Sequence, residues 1–230
     1  MKKLILIPAL ALCLALCGCA ETANTAPATQ APVSTAAPEE AVTDAAPAAA
    51  RISPLPDNSM DNLSDAIVHI SLDEGSVYAD ENGNLLMDVK IYSYDKYDMV
   101  DIAMLKVGDT LVTNYGEIQV ASMEQGPGGS ICINGGLESG GIDLATEDNG
   151  IFFEIGYNDS KSWYQLGEAT LPLSAAFVGL DNADPQLGEV LLSADSFLNG
   201  EIAHFYFSPH NTSIRIEAGE VVELNRRYVP

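Results

Sequence analysis

The stretch LLMDVKIY, residues 85–92, decides the fold class. Leu85, Met87, Val89 and Ile91 take alternate positions, with Leu86, Asp88, Lys90 and Tyr92 between them. Period two is the pattern of a strand with one face buried, whereas a helix would repeat near 3.6. Just ahead stands Asn82-Gly83, a pair that tolerates the positive φ of a tight hairpin turn. The same alternation recurs along the chain. Val68, Ile70 and Leu72 alternate with His69, Ser71 and Asp73, and Ile151, Phe153 and Ile155 with Phe152, Glu154 and Gly156. Phe205 and Phe207 flank Tyr206, Ile214 and Ile216 flank Arg215, and Val222 and Leu224 flank Glu223. Asn149-Gly150 predicts a second hairpin, and Asn199-Gly200 is a turn pair of the same kind. Helix signals are few. Residues 57–67 could start a short helix behind Asp or Ser. Residues 97–105 fit either a helical stripe (Val100, Met104, Leu105) or a strand (Val100, Ile102, Met104). Lys106-Val107-Gly108-Asp109-Thr110 reads as a tight turn into the next strand. Residues 51–230 are thus expected to form one mainly β domain, an antiparallel β-sandwich or barrel with at most one or two short helices.

The N-terminus has a different character. Lys2 and Lys3 precede the uncharged apolar run Leu4–Leu16, which is 13 residues long. A spanning helix needs about 20 residues, so this run suits the core of an export signal. Leu16-Cys17-Gly18-Cys19 resembles the lipobox of bacterial lipoproteins: an aliphatic residue, two small residues, then a cysteine. Cys17 stands where Ala or Ser is usual. The resemblance implies that residues 1–18 are removed as a signal peptide and that the Cys19 thiol is acylated. Two chains anchor stably where one does so only marginally. It also implies location at the bacterial cell envelope, held to the membrane on its external side. Residues 20–50 contain thirteen Ala, five Thr and four Pro, and no aromatic, Leu, Ile, Phe or Met. Such a segment buries too little apolar surface to offset its ordering entropy. Residues 19–50 therefore read as the lipidated cysteine and a tether with ends roughly 30 Å apart as a coil and ~95 Å apart if fully extended.

Charge narrows the partners. Four of the 33 acidic residues precede residue 51, leaving 29 against eight basic residues, or 21 net negative charges. That field repels nucleic acid and anionic lipid headgroups. After signal removal the only thiol besides Cys19 is Cys132, set between Ile131 and Ile133, and a buried small hydrophobe is expected there.

Candidate ligand contacts are aromatic. Trp163, the only tryptophan, adjoins Tyr164, on opposite faces if the segment is a strand. An exposed Trp–Tyr pair suits sugar stacking or a protein hot spot, while an inward Trp163 would anchor the core. Tyr92 and Tyr94 share a strand face and form a second candidate strip. Calcium is the one cofactor that the acidic loops suggest. Asp80-Glu81-Asn82-Gly83 fails the EF-hand spacing, with glycine at position four instead of six. The loop holding Asp181, Asp184 and Glu189 could supply oxygen ligands. The glycine-rich segment 125–142 lacks a phosphate-loop ending and reads as turns around a short ICI strand. No His-Glu-x-x-His or Gly-x-Ser-x-Gly motif occurs. The function expected is a non-catalytic surface module that binds a cell-wall component, a glycan or a secreted protein. The alternative is a hydrolase of envelope polymers, which would need two convergent carboxylates in a cleft.

Overall fold

In chain order the strands are β1 (Arg51–Ile52), β2 (Ala66–Ser71), β3 (Val77–Ala79), β4 (Leu85–Ser93), β5 (Lys96–Asp98), β6 (Thr110–Thr113), β7 (Gly116–Gln119), β8 (Met123–Gln125), β9 (Ile131–Ile133), β10 (Ile142–Thr146), β11 (Ile151–Ile155), β12 (Tyr164–Asn182), β13 (Val190–Leu192), β14 (Thr212–Glu217) and β15 (Glu220–Arg227). Helix α1 (Met99–Met104) follows β5, and α2 (Ala194–Leu198) follows β13. This computed structural model describes residues 48–202 and 204–229; the signal segment, Cys19 and most of the tether lie outside them.

Five strands close a ring. β2, β4 and β12 form an antiparallel meander, and β14 returns to pair with β2. That order is a Greek key. β15 then fills the gap, antiparallel to β14 and parallel to β12. The barrel closes because β12 serves two partners. Tyr164–Pro172 pairs with β4, and Leu173–Asn182 pairs with β15. Pro172, which has no N–H to offer a ladder, sits where the strand changes partner. The ladder with β15 then skips from Leu173 to Val178, a bulge that turns the strand around the corner. β3 and β13 extend the ring on β4 and β12.

Along β2, β4 and β14 the inward faces are the ones the alternation marked, but in β15 a bulge buries Val221 with Leu224 in place of Val222, and in β11 Phe152 packs on the second core in place of Ile151 and Ile155. Met87, Val89 and Ile91 of β4 are buried with Val68, Ile70, Leu72, Ile214, Ile216, Val221 and Leu224. Both expected hairpins form, β3–β4 across Asn82-Gly83 and β10–β11 across Asn149-Gly150. Gly83 and Gly150 take φ of 83° and 80°.

Residues 94–163 leave the barrel between β4 and β12 and build a second core. There a five-stranded antiparallel sheet, β5-β11-β10-β9-β8, accompanies a three-stranded one, β1-β6-β7. Ile52, Tyr97, Ile102, Leu105, Leu111, Val120, Ile133, Ile142 and Leu144 form this core. Residues 97–105 resolve into both candidates at once. β5 runs into α1, whose N-cap Asp98 accepts from the Val100 N–H. The helix buries Ile102, with Leu105 following, while Val100 and Met104 are exposed, so neither expected stripe is the buried one. No helix forms over residues 57–67. Asp57 accepts from Ser59 and Ser93, and Asn62 accepts from Ser64, so these side chains make turns instead of a cap. Cys132 is half-buried, not a core residue. It lies across from Asp143 on β10, and its thiol pKa is raised by that carboxylate and by burial.

Candidate ligand-binding site

β12 begins where the second core rejoins the barrel, and the aromatic residues meet there. The Trp163 ring packs against His69 at 4.5 Å, Tyr94 at 4.9 Å and His210 at 6.3 Å between centroids. Trp163 is half-buried and belongs to neither apolar core, so it is neither a core anchor nor a free platform. Tyr94 stands edge-on to Phe153 and carries Lys161 Nζ 4.0 Å from its ring centroid. The Tyr94 hydroxyl donates to Glu147 Oε1 at 3.0 Å and accepts from Lys161 Nζ at 2.8 Å. Lys161 Nζ also donates to Glu147 Oε1 at 2.5 Å. Burial opposes the charge on both partners. Their mutual hydrogen bonds outweigh it, so the pKa of Glu147 is lowered and that of Lys161 raised.

His69 lies on the outer face of β2, across from Tyr92 and Ser213. Its Nδ1 is 3.1 Å from the Pro209 carbonyl, so that nitrogen carries the proton. Burial lowers the His69 pKa to about 4, and Lys161, Arg227 and Lys96 push the same way. The imidazole is therefore neutral at pH 7 and sits in a local positive potential. Tyr92 meets Ser71, with 3.3 Å between hydroxyl oxygens. Tyr164 turns to the other side of β12, where burial and Asp95 raise its pKa. Trp163 and Tyr94 come together in one cluster, and Tyr164 does not join them.

Beside the cluster opens a groove of about 470 Å³, within the usual range for small-ligand sites. Its walls come from the loop after β11 (Asn158, Ser160), the segment before β14 (His204, Tyr206, Ser208, His210, Asn211) and the end of β15 (Arg226, Arg227, Tyr228, Val229). The segment before β14 is tightly built. Asn211 N and Thr212 N both donate to Ser208 O, and Ser208 N donates to Asn211 Oδ1. This turn presents His210 outward while Phe207 is buried. The alternation Phe205-Tyr206-Phe207 persists without a strand: Tyr206 is 67% exposed, and the two Phe rings pack on each other. Tyr228 is 53% exposed. Sequence reading could not bring His69 and His210 to the same Trp163 ring, because that meeting depends on which strands pair. The signal it could have used was Tyr206, an exposed tyrosine in an alternating run.

Arg226 forms the groove floor. Its Nε donates to Asp181 Oδ1 at 2.8 Å, Nη2 donates to Asp181 Oδ2, and Nη1 donates to the carbonyls of His204 and Tyr206. Asp181 is thus held in an ion pair. Asp184 accepts from Gln186 N, and Glu189 accepts from Asn182 Nδ2 at 3.5 Å. Among the described residues, no group of three or more His, Cys, Asp or Glu side chains is arranged to hold a metal.

Two other carboxylates have raised pKa values, Asp95 and Glu154, each through burial and Glu154 also through repulsion from Asp95. They are 4% and 9% exposed and do not line the groove. Compared with known proteins, the chain matches no protein family, no curated protein and no solved structure.

Proposed function

We propose that this chain is a lipid-anchored protein of the bacterial cell envelope whose barrel binds a ligand without transforming it. The groove beside Trp163 is the binding site. One observation carries the reading: the groove gathers exposed aromatic faces, the Asn158 amide and the Arg227 guanidinium in one concavity. Such a set of groups recognises ligands by stacking and hydrogen bonding. The paired carboxylates that a hydrolase would need are not at this groove, whose lining holds no Asp or Glu. The lipobox-like Leu16–Cys19 and the tether supply the anchoring half of the proposal.

The test uses the full chain and isolated envelope material, namely peptidoglycan sacculi and extracted wall polysaccharide. Tyr206→Ala and Tyr228→Ala should each lower retention about tenfold while leaving the melting temperature within 2 °C or so, as expected for exposed side chains. Retention that is unchanged in both variants refutes the groove as the site. Cys19→Ala should release the protein from membranes, and continued full membrane fractionation refutes the anchor.

A further inference from the structure

We infer that the groove is selective for a sugar carrying a single carboxylate. This rests on the binding reading above and names its ligand class. The domain has 29 acidic residues in residues 51–230, yet no Asp or Glu lines the groove. In so acidic a chain that gap is a local exception, and it coincides with the one arginine that makes no ion pair among the described residues. Six of the eight basic residues of the domain are in ion pairs: Arg51, Lys90, Lys96, Lys161, Arg215 and Arg226. Among the described residues Arg227 makes none, and it is exposed in the groove wall. Arg226 beside it has its donors occupied by Asp181 and two carbonyls. Arg227 is therefore the only guanidinium here able to take a ligand, and a planar guanidinium matches a carboxylate with two parallel hydrogen bonds.

The rest of the groove suits a sugar ring. Tyr206 and Tyr228 offer exposed aromatic faces, and the apolar face of a pyranose stacks on such rings. Asn158 places an amide at the same concavity for hydroxyl groups, while the Asn211 amide is taken up by Ser208, Thr212 and the Tyr206 carbonyl. Asn158 and His204 also hold the left-handed backbone region, with φ of 59° and 54°. Such strain in non-glycine residues is enriched at functional sites. The charge of the domain sets an upper bound. With 21 net negative charges, a polyanion is repelled from the whole face, so one carboxylate beside Arg227 is the favoured valence.

The experiment takes the full chain in detergent with methyl glucuronide, methyl galacturonide, N-acetylneuraminic acid and N-acetylmuramic acid. Each is paired with its counterpart in which the carboxylate is reduced or amidated. Binding is followed by calorimetry and by saturation-transfer NMR. At least one acid should bind ten times more tightly than its neutral counterpart. Arg227→Gln should erase that difference, and added salt should weaken the acid alone. Equal affinity for acid and neutral forms, or a difference that survives Arg227→Gln, overturns the inference and leaves the groove as a binding site. No binding by any sugar at millimolar concentration also overturns it. The retention of Tyr206→Ala and Tyr228→Ala on envelope material then decides separately whether the groove binds anything.

Discussion

Removing the Asp181 carboxylate tests how the groove floor is held. Asp181 and Arg226 are 11% and 3% exposed as side chains, so the pair is desolvated. Asp181→Asn leaves the guanidinium buried and sets an amide N–H₂ against one of its donors. Breaking a buried pair from one side costs about 3–5 kcal/mol. For a domain of this size that is a fall of about 6–20 °C in melting temperature, at about 2–4 °C per kcal/mol. Arg226→Met should cost about as much, because it leaves Asp181 buried with only the Ala183 N–H and also strips a donor from two carbonyls. The double variant Asp181→Asn with Arg226→Met removes both charges. It should therefore cost less than the two single variants together by about 2 kcal/mol or more. Urea unfolding of the full chain, with midpoint and slope read separately, gives all four corners of the cycle. The sign with pH is fixed by the direction of the shift. Burial raises the Asp181 pKa, but the Arg226 and Ala183 hydrogen bonds outweigh it and hold the value below the ordinary one. The stabilisation is thus full above the unfolded pKa near ~3.9 and is lost as pH falls through the lower folded value. The gap between wild type and Asp181→Asn should be constant from pH 8 to pH 5, or about that range, and narrow below about pH 4. A cost under about 1 kcal/mol, or strict additivity in the cycle, would refute the reasoning.

Three further outcomes follow from the geometry. The His69 pKa is lowered to about 4, so the unfolded chain takes up that proton first as pH falls from about 6.5. Wild type should lose roughly 2–4 kcal/mol more than His69→Asn between pH 7 and pH 4, and parallel stability curves would contradict this. Trp163→Ala removes a half-buried ring that touches His69, Tyr94 and His210. It should destabilise by about 2–3 kcal/mol in chemical denaturation, below the value for a full core aromatic, and an unchanged midpoint would show that the cluster carries no packing energy. Gly141→Ala would place a Cβ 2.0 Å from the Ile133 carbonyl oxygen and 2.7 Å from that of Asn134. Backbone must move to admit it, at a cost of about 1–3 kcal/mol or more, and a neutral thermal melt would contradict this.

Strand content was legible because its signal is local. Whether Met87, Val89 and Ile91 share a face depends only on the pleat, and burial of that face follows from their apolarity. The turns at Asn82-Gly83 and Asn149-Gly150 were legible for the same reason, since positive φ is a property of a residue and its neighbour. The sequence by itself also determined the acidity that makes a carboxylate-free groove exceptional. Pairing was not legible. Nothing local shows that the 19 residues of β12 change partner at Pro172 and run parallel to β15, because each strand face would fit several neighbours. That one choice closes the barrel. With β14 paired to β2, it sets the Pro209–His210 turn beside His69 and Trp163 and carries Arg226 under the segment before β14. The Asp181–Arg226 pair was not legible either, because its partners lie 45 residues apart. Local sterics and apolarity write secondary structure into short stretches of sequence. A binding site is made of residues distant in the chain, and only the pairing of strands brings them within reach.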